Sequence, residues 1–256
     1  SISTDAFLFC TSLKAVTVDI DNSYYSDIDG VLFNKDHTSI IICPNNKDSE
    51  YTIPDQVISI GDYAFYGCSK LESITLPESI TSIGGYAFRS CSSLKSITVP
   101  EGITKIERNT FSFCAKLVSC IIPDGVININ NEAFSSCVSL ESIVIPKSVK
   151  SIGNSAFLHC DSLTSITILN GLTDIGPSAF ASCISLVYIE LPESVSSIGE
   201  SAFIYCSELT SLTLPKQITA INSSLFQGCS SLESISIPEN VTSIESSAFL
   251  NCDMLT

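Results

Sequence analysis

A chain of 256 residues with 27 acidic and 12 basic side chains, net charge −15, repels phosphate, which argues against nucleic acid and anionic lipid as partners. Hydrophobic residues make up 45 % of it, yet no apolar run approaches the roughly 18 residues that span a bilayer, so insertion into a membrane is not expected. The groups with reactive chemistry are twelve cysteines and two histidines, His37 and His159.

In chain order, residues 1–18 hold a degenerate unit made of Ala6-Phe7, Cys10, Leu13, Val16 and Val18. Residues 19–53 break its spacing. Within them Gly30-Val31-Leu32-Phe33, a polar Asn34–Thr38 stretch and Ser39-Ile40-Ile41-Ile42-Cys43-Pro44 predict an irregular hairpin module. Tyr51-Thr52-Ile53-Pro54 then opens the register that holds over residues 54–256. There Phe65, Phe88, Phe111, Phe134, Phe157, Phe180, Phe203, Phe226 and Phe249 recur every 23 residues without insertion or deletion. A Cys follows each Phe after three residues and a Leu follows each Cys after three more.

Fixed periods of this length mark repeat architectures. The L-x-x-I-x-I segment alternates like a half-buried strand, and the Pro that usually follows cannot donate to a continuing ladder. V-x-x-I predicts a second short strand, Gly or Asn after it a turn, and Ala-Phe one tight helical or 3₁₀ turn. No 23-residue coil buries its own apolar face, so coils must stack and bury each other's. The expected fold is a single right-handed, curved solenoid over residues 1–256: a parallel concave β-sheet with short second strands or turns on the convex side. Because the sequence starts and stops within a unit, it reads as a piece of a longer array.

Cys91-Ser-Ser-Leu94-Lys-Ser-Ile97-Thr-Val-Pro100, the Ser-Ile-Gly-x-x-Ala-Phe blocks and the Ile28–Asp36 insert resemble the BspA-like, or Treponema-type, leucine-rich-repeat family. The resemblance covers essentially the whole chain. It implies a surface or secreted protein of bacteria or protozoa that adheres to host matrix proteins and to other cells.

The residues themselves offer little chemistry. Ten cysteines share one repeat position, while Cys120 falls on an Ile position and Cys43 precedes Pro44 as Leu76 precedes Pro77. All twelve are expected to point inward as small hydrophobes with weak S–H donors. A spacing of 23 is no zinc motif, so no metal and no cofactor is expected. Ser92-x-x-Lys95 lies in a strand context, and with no G-x-S-x-G elbow or Gly-rich phosphate loop the chain is not expected to be an enzyme. Residues after the prolines form an acidic column that includes Asp55, Glu78, Glu101 and Asp124. It is read as a solvated edge more readily than as a Ca²⁺ site between Asp55 and Asp124.

Function is sought on the outward positions of the first strand, which are mostly Ser and Thr. Val118, Ile121, Val144, Val187, Tyr188 and Glu190 depart from that background and form a discontinuous candidate binding patch on the concave face. The leading expectation is a non-enzymatic scaffold, a cell-surface or secreted adhesin that recognises protein or glycan. The alternative is an architectural spacer or intracellular interaction scaffold. The sequons at Asn222 and Asn240 are compatible with a secretory route. A third reading, ordered-water binding by the Ser-x-Thr array, is weakened because Ile121, Val144, Tyr188 and Glu190 interrupt it.

Overall fold

The computed structural model describes residues 2–3 and 6–256. The chain winds into stacked coils, each of which lays down two short strands in two separate columns. Ser96–Thr98, Ser119–Ile121, Ser142–Ile145, Ser165–Ile168, Tyr188–Glu190 and Ser211–Thr213 belong to the first column. Ser82–Ile83, Lys105–Ile106, Asn128–Ile129, Ser151–Ile152, Asp174–Ile175 and Ser197–Ile198 belong to the second. Pairing is parallel and joins like to like: Ile143 lies opposite Ile166, and Ile152 opposite Ile175. Because equivalent residues oppose one another, the inward side-chain columns keep one chemical character along the array.

Proline limits the first strand as the sequence predicts. Leu169 is the test, since it replaces that Pro: its N–H is available and donates to Ile145 O at 3.0 Å.

The bend before each Cys is not the expected helical turn. It is a succession of turns with two left-handed residues per coil, two before the Phe and one before the Cys. In one coil these are Ser155 (φ 53) and His159 (φ 57), and in the next Ser178 (φ 54) and Ser182 (φ 57). The left-handed residues aim alternate N–H groups at the following coil: Ser155, Phe157 and His159 donate to Pro177 O, Ala179 O and Ala181 O at 2.8–3.0 Å. Ala156, Leu158 and Cys160 donate three residues back. Every N–H in the bend is thereby used, which offsets a left-handed backbone cost of about 1–2 kcal/mol per residue.

The core is a set of columns. Phe65 through Phe226 have no exposed surface, and successive rings from Phe65 to Phe249 stack at 5.1–5.8 Å with interplanar angles of 2–23°. Ala, Leu, Ile and Val columns fill the space around them.

Three antiparallel strands precede the regular coils: β1 (Tyr25–Ile28), β2 (Val31–Asn34) and β3 (Ser39–Ile42). The β2–β3 hairpin is the expected one; β1 is additional. Asp29 (φ 50) and Gly30 (φ 78) form the two-residue turn between β1 and β2, with Ile28 opposite Val31. An Asp-Gly turn with both φ positive matches the twist of an antiparallel pair. β3 then pairs in parallel with Ser59–Ile60, so the module continues the second column, and β4 (Glu50–Thr52) begins the first by pairing with Ser73–Thr75.

Two cysteine expectations need correction. Cys43 is buried, but it stands where later coils have Phe: its N–H bonds Ala64 O as the N–H of Phe65 bonds Ala87 O. Tyr51, opposite Ile74 in the first column, packs its ring against Phe65 at 6.0 Å and a tilt of 52°, covering the end of the stack. Cys10 is exposed. Its unit keeps the turn bonds, Cys10 N–H to Phe7 O and Leu13 N–H to Cys10 O, but is tied to the hairpin through Val16 N–H to Gly30 O instead of stacking in register.

Candidate functional site

The buried polar columns are structural. In coil after coil the Cys Sγ donates to the carbonyl of the preceding coil's Phe, from Cys91 to Phe65 O at 3.1 Å through Cys229 to Phe203 O at 3.2 Å. The thiol is small enough for the core and still ties one coil to the next. Burial raises these thiols well above their ordinary range, Cys114 to about 12, so they are poor nucleophiles and poor metal ligands at neutral pH.

His159 is exposed beside Asp161 at 3.8 Å, and His37 lies edge-on to Phe33 at 5.8 Å. Among the described residues no group of three or more His, Cys, Asp or Glu is placed to hold a metal. Part of the acidic column has a backbone role that its spacing did not reveal: Glu78 accepts the Glu101 N–H at 3.3 Å and Glu193 accepts the Lys216 N–H at 3.1 Å.

All six residues of the candidate patch are exposed on the first-strand face, Ile121 at 62 %, Val144 at 52 % and Tyr188 at 49 %. Strand alternation puts Ile143, Ile166 and Ile189 into the core and their neighbours outward. The six fall into two groups. Ile121 and Val144 line one shallow depression together with Ser119 and Ser142, while Val118, just before the strand, lies between Lys95 and Glu141 of the adjacent coils, its carbonyl accepting the Glu141 N–H at 3.2 Å. Val187, Tyr188 and Glu190 form the second group. The strand Ser165–Ile168, opposite Tyr188 at Ser165, carries Thr167 outward and separates the two.

A further cluster went unnoticed in the sequence. Tyr63 and Tyr86 stack at 4.7 Å and 3° on the bend. Arg108 lies over the Tyr86 ring at 5.1 Å, and Arg89 lies 5.7 Å from the same ring and 4.7 Å from Phe113. Arg89 is anchored by the buried Asn109 Oδ1 and by Ser112 Oγ. The available signal was composition: Arg89 and Arg108 are the only arginines in the chain.

A family model described as "BspA type Leucine rich repeat region" matches residues 45–163 and 150–256 in six copies. Among solved structures, a leucine-rich repeat protein from Bacteroides ovatus is 23 % identical over 93 % of this chain and 82 % of its own, with a TM-score of 0.58. A leucine rich cell surface protein from Faecalibacterium prausnitzii is 27 % identical over 93 % of this chain and 88 % of its own, TM-score 0.49. A T. pallidum leucine rich repeat protein is 29 % identical over 94 % and 91 %, TM-score 0.49. No curated protein matches significantly.

Proposed function

Since the chain belongs to the BspA-type leucine-rich-repeat family, we propose that it is a non-catalytic binding scaffold, the ligand-binding region of a cell-surface or secreted adhesin. One observation carries this reading. Ile121 and Val144 are large exposed hydrophobics that line one depression, at a strand position held by Thr75, Thr98, Thr167 and Thr213 in other coils, and Val118 is exposed just before the same strand. Nothing in the packing of the coils uses these side chains, and they favour an apolar surface on a partner protein over the hydroxyls of a sugar. Tyr188 adds a rigid amphipathic anchor beyond them. No helix among the described residues is long and apolar enough to cross a membrane.

The test is solid-phase binding to a panel of immobilised extracellular-matrix proteins. Wild-type chain should bind at least one of them. The combined variant Val118→Ser, Ile121→Thr, Val144→Thr, Tyr188→Ser should lose that binding with its melting temperature nearly unchanged, because the four side chains are exposed. Full binding by the variant removes this face from consideration.

A further inference from the structure

A second concavity lies on the other strand column and the bend that follows it. About 490 Å³ in volume, it is lined by Asp62, Gly85, Glu107, Arg108, Asn130 and Asn131 among others, within the roughly 300–1,000 Å³ of small-ligand sites. Its origin is one position of the repeat. Asp62, Gly85, Arg108 and Asn131 are equivalent residues of successive coils, and Gly85 leaves a slot between a carboxylate and a guanidinium. A Cβ at Gly85 would stand 3.3 Å from Arg108 Cγ, so the glycine gives the Arg108 side chain room where it lies back over Tyr86.

The lining has unspent hydrogen-bonding capacity of both kinds. Asp62 Oδ1 accepts the Gly85 N–H at 2.8 Å, leaving Oδ2 open. Glu107 Oε2 accepts from Asn130 Nδ2 at 2.9 Å, leaving Oε1 open. Asn131 Oδ1 accepts the Asn154 N–H at 3.0 Å, so its Nδ2 remains to donate. Arg108 makes no side-chain hydrogen bond or ion pair among the described residues; its five N–H donors are oriented by Tyr86 and otherwise unused. Tyr86 is itself fixed by the Tyr63 ring and by Arg89, which the buried Asn109 holds.

We propose that this concavity is a second binding site, independent of the first-strand face, for a neutral oligosaccharide. A sugar hydroxyl donates and accepts at once, and here it meets carboxylate acceptors beside guanidinium and carboxamide donors. Two carboxylates against one guanidinium leave the lining net negative, in a chain of net charge −15, which disfavours phosphate, sulfate and uronate. The polar lining gives an apolar ligand little to bury against.

The experiment is calorimetric titration of the full chain at millimolar sugar with maltotriose, cellotriose, mannotriose and triacetylchitotriose, and with trigalacturonate as the anionic control. At least one neutral trisaccharide should bind and shift the amide resonances of Gly84 and Gly85. Asp62→Asn and Arg108→Ala should each weaken it about tenfold or more, as expected for losing a charged hydrogen bond. The combined first-strand variant should bind the sugar as wild type does, which separates this site from the proposed adhesive face. Failure of every neutral trisaccharide, undiminished binding by Arg108→Ala, or preference for trigalacturonate would each overturn the proposal. The amide shifts report on the site in the unmutated protein, so a variant that folds poorly does not blunt the test.

Discussion

Raising the pH from 8 to 10 under reducing conditions should unfold the array, and the reason lies in its cysteine column. Cys68, Cys91, Cys114, Cys120, Cys137, Cys160, Cys183, Cys206 and Cys229 are thiols whose proton affinity rises on folding, in all but Cys68 chiefly through burial. For Cys68 the contact with Cys43 contributes most. In the unfolded chain each returns to its ordinary value near 9. Between that value and the raised one the unfolded state binds fewer protons, so stability is intact below pH 9 and falls as pH rises. By pH 10 each thiol favours unfolding by about 1.4 kcal/mol, whatever its folded value above 10. Nine such thiols sum to about 13 kcal/mol, comparable to the whole stability of a typical domain, roughly 5–15 kcal/mol. The assay is the urea midpoint by far-UV circular dichroism at a series of pH values. The midpoint should hold to about pH 8.5 and collapse before pH 10. In Cys137→Ala/Cys160→Ala the loss between pH 8 and 10 should shrink by about 2.5–3 kcal/mol, even though the variant starts less stable. A midpoint unchanged up to pH 10 would refute the argument.

Three other outcomes follow from named contacts. A maleimide applied to native chain at neutral pH should modify Cys10 quickly and Cys252 slowly, and reach all twelve cysteines only in denaturant; mass spectrometry of the intact chain reads the count. Phe134→Ala removes a fully buried ring stacked at 5.3 and 5.2 Å on its two neighbours and should cost about 3–5 kcal/mol in urea denaturation, with first-strand binding retained if the array stays folded. Ser201, at φ 56, should be replaceable by Gly with a gain of up to about 1 kcal/mol, whereas Gly at Ser211 in a first strand should destabilise.

The solenoid was legible because its strongest signals are periodic. Stacking places equivalent residues over one another, so a Phe every 23 residues predicts a ring column and a Cys three residues later predicts a thiol column. The bend was less legible. Ser155, Glu132 and Tyr86 carry no common mark of a left-handed residue; the conformation is imposed by the N–H ladder to the next coil, which is a property of the stack and not of the local sequence. Cys43 was misplaced because its Pro neighbour imitates a strand end, while β3 belongs to the second column. Asp29-Gly30 carried a hairpin signal that revealed β1 only once a strand was sought on its N-terminal side. The outward direction of Ile121, Val144, Tyr188 and Glu190 was readable from strand alternation, since each adjoins an inward Cys120, Ile143 or Ile189; Val118 and Val187 precede their strands and are exposed without following that parity. The arginine cluster was not, because its members pair across coils: Tyr63 with Tyr86, Arg89 with Asn109, Arg108 with Tyr86.

That contrast bears on where specificity can arise in such an array. A substitution on the first-strand face changes one outward side chain and leaves the ladder beneath it intact, so apolar residues there can be exchanged at little cost in stability. The bend differs. Its backbone already holds two left-handed residues per coil, and each side chain lies against the equivalent one of the neighbouring coil. A glycine at one position, Gly85, therefore alters two coils together: it gives Arg108 room where it lies over Tyr86 and leaves Asp62 without a side chain opposite. Filling that slot by Gly85→Ser should displace Arg108 from the Tyr86 ring, because even a Cβ stands 3.3 Å from Arg108 Cγ. The first-strand variant and Gly85→Ser should then act additively on stability and on separate ligands, as expected of sites that share no contact. If Gly85→Ser instead weakened capture by the first-strand face, the two faces would be coupled through the core, and treating them as independent would be wrong.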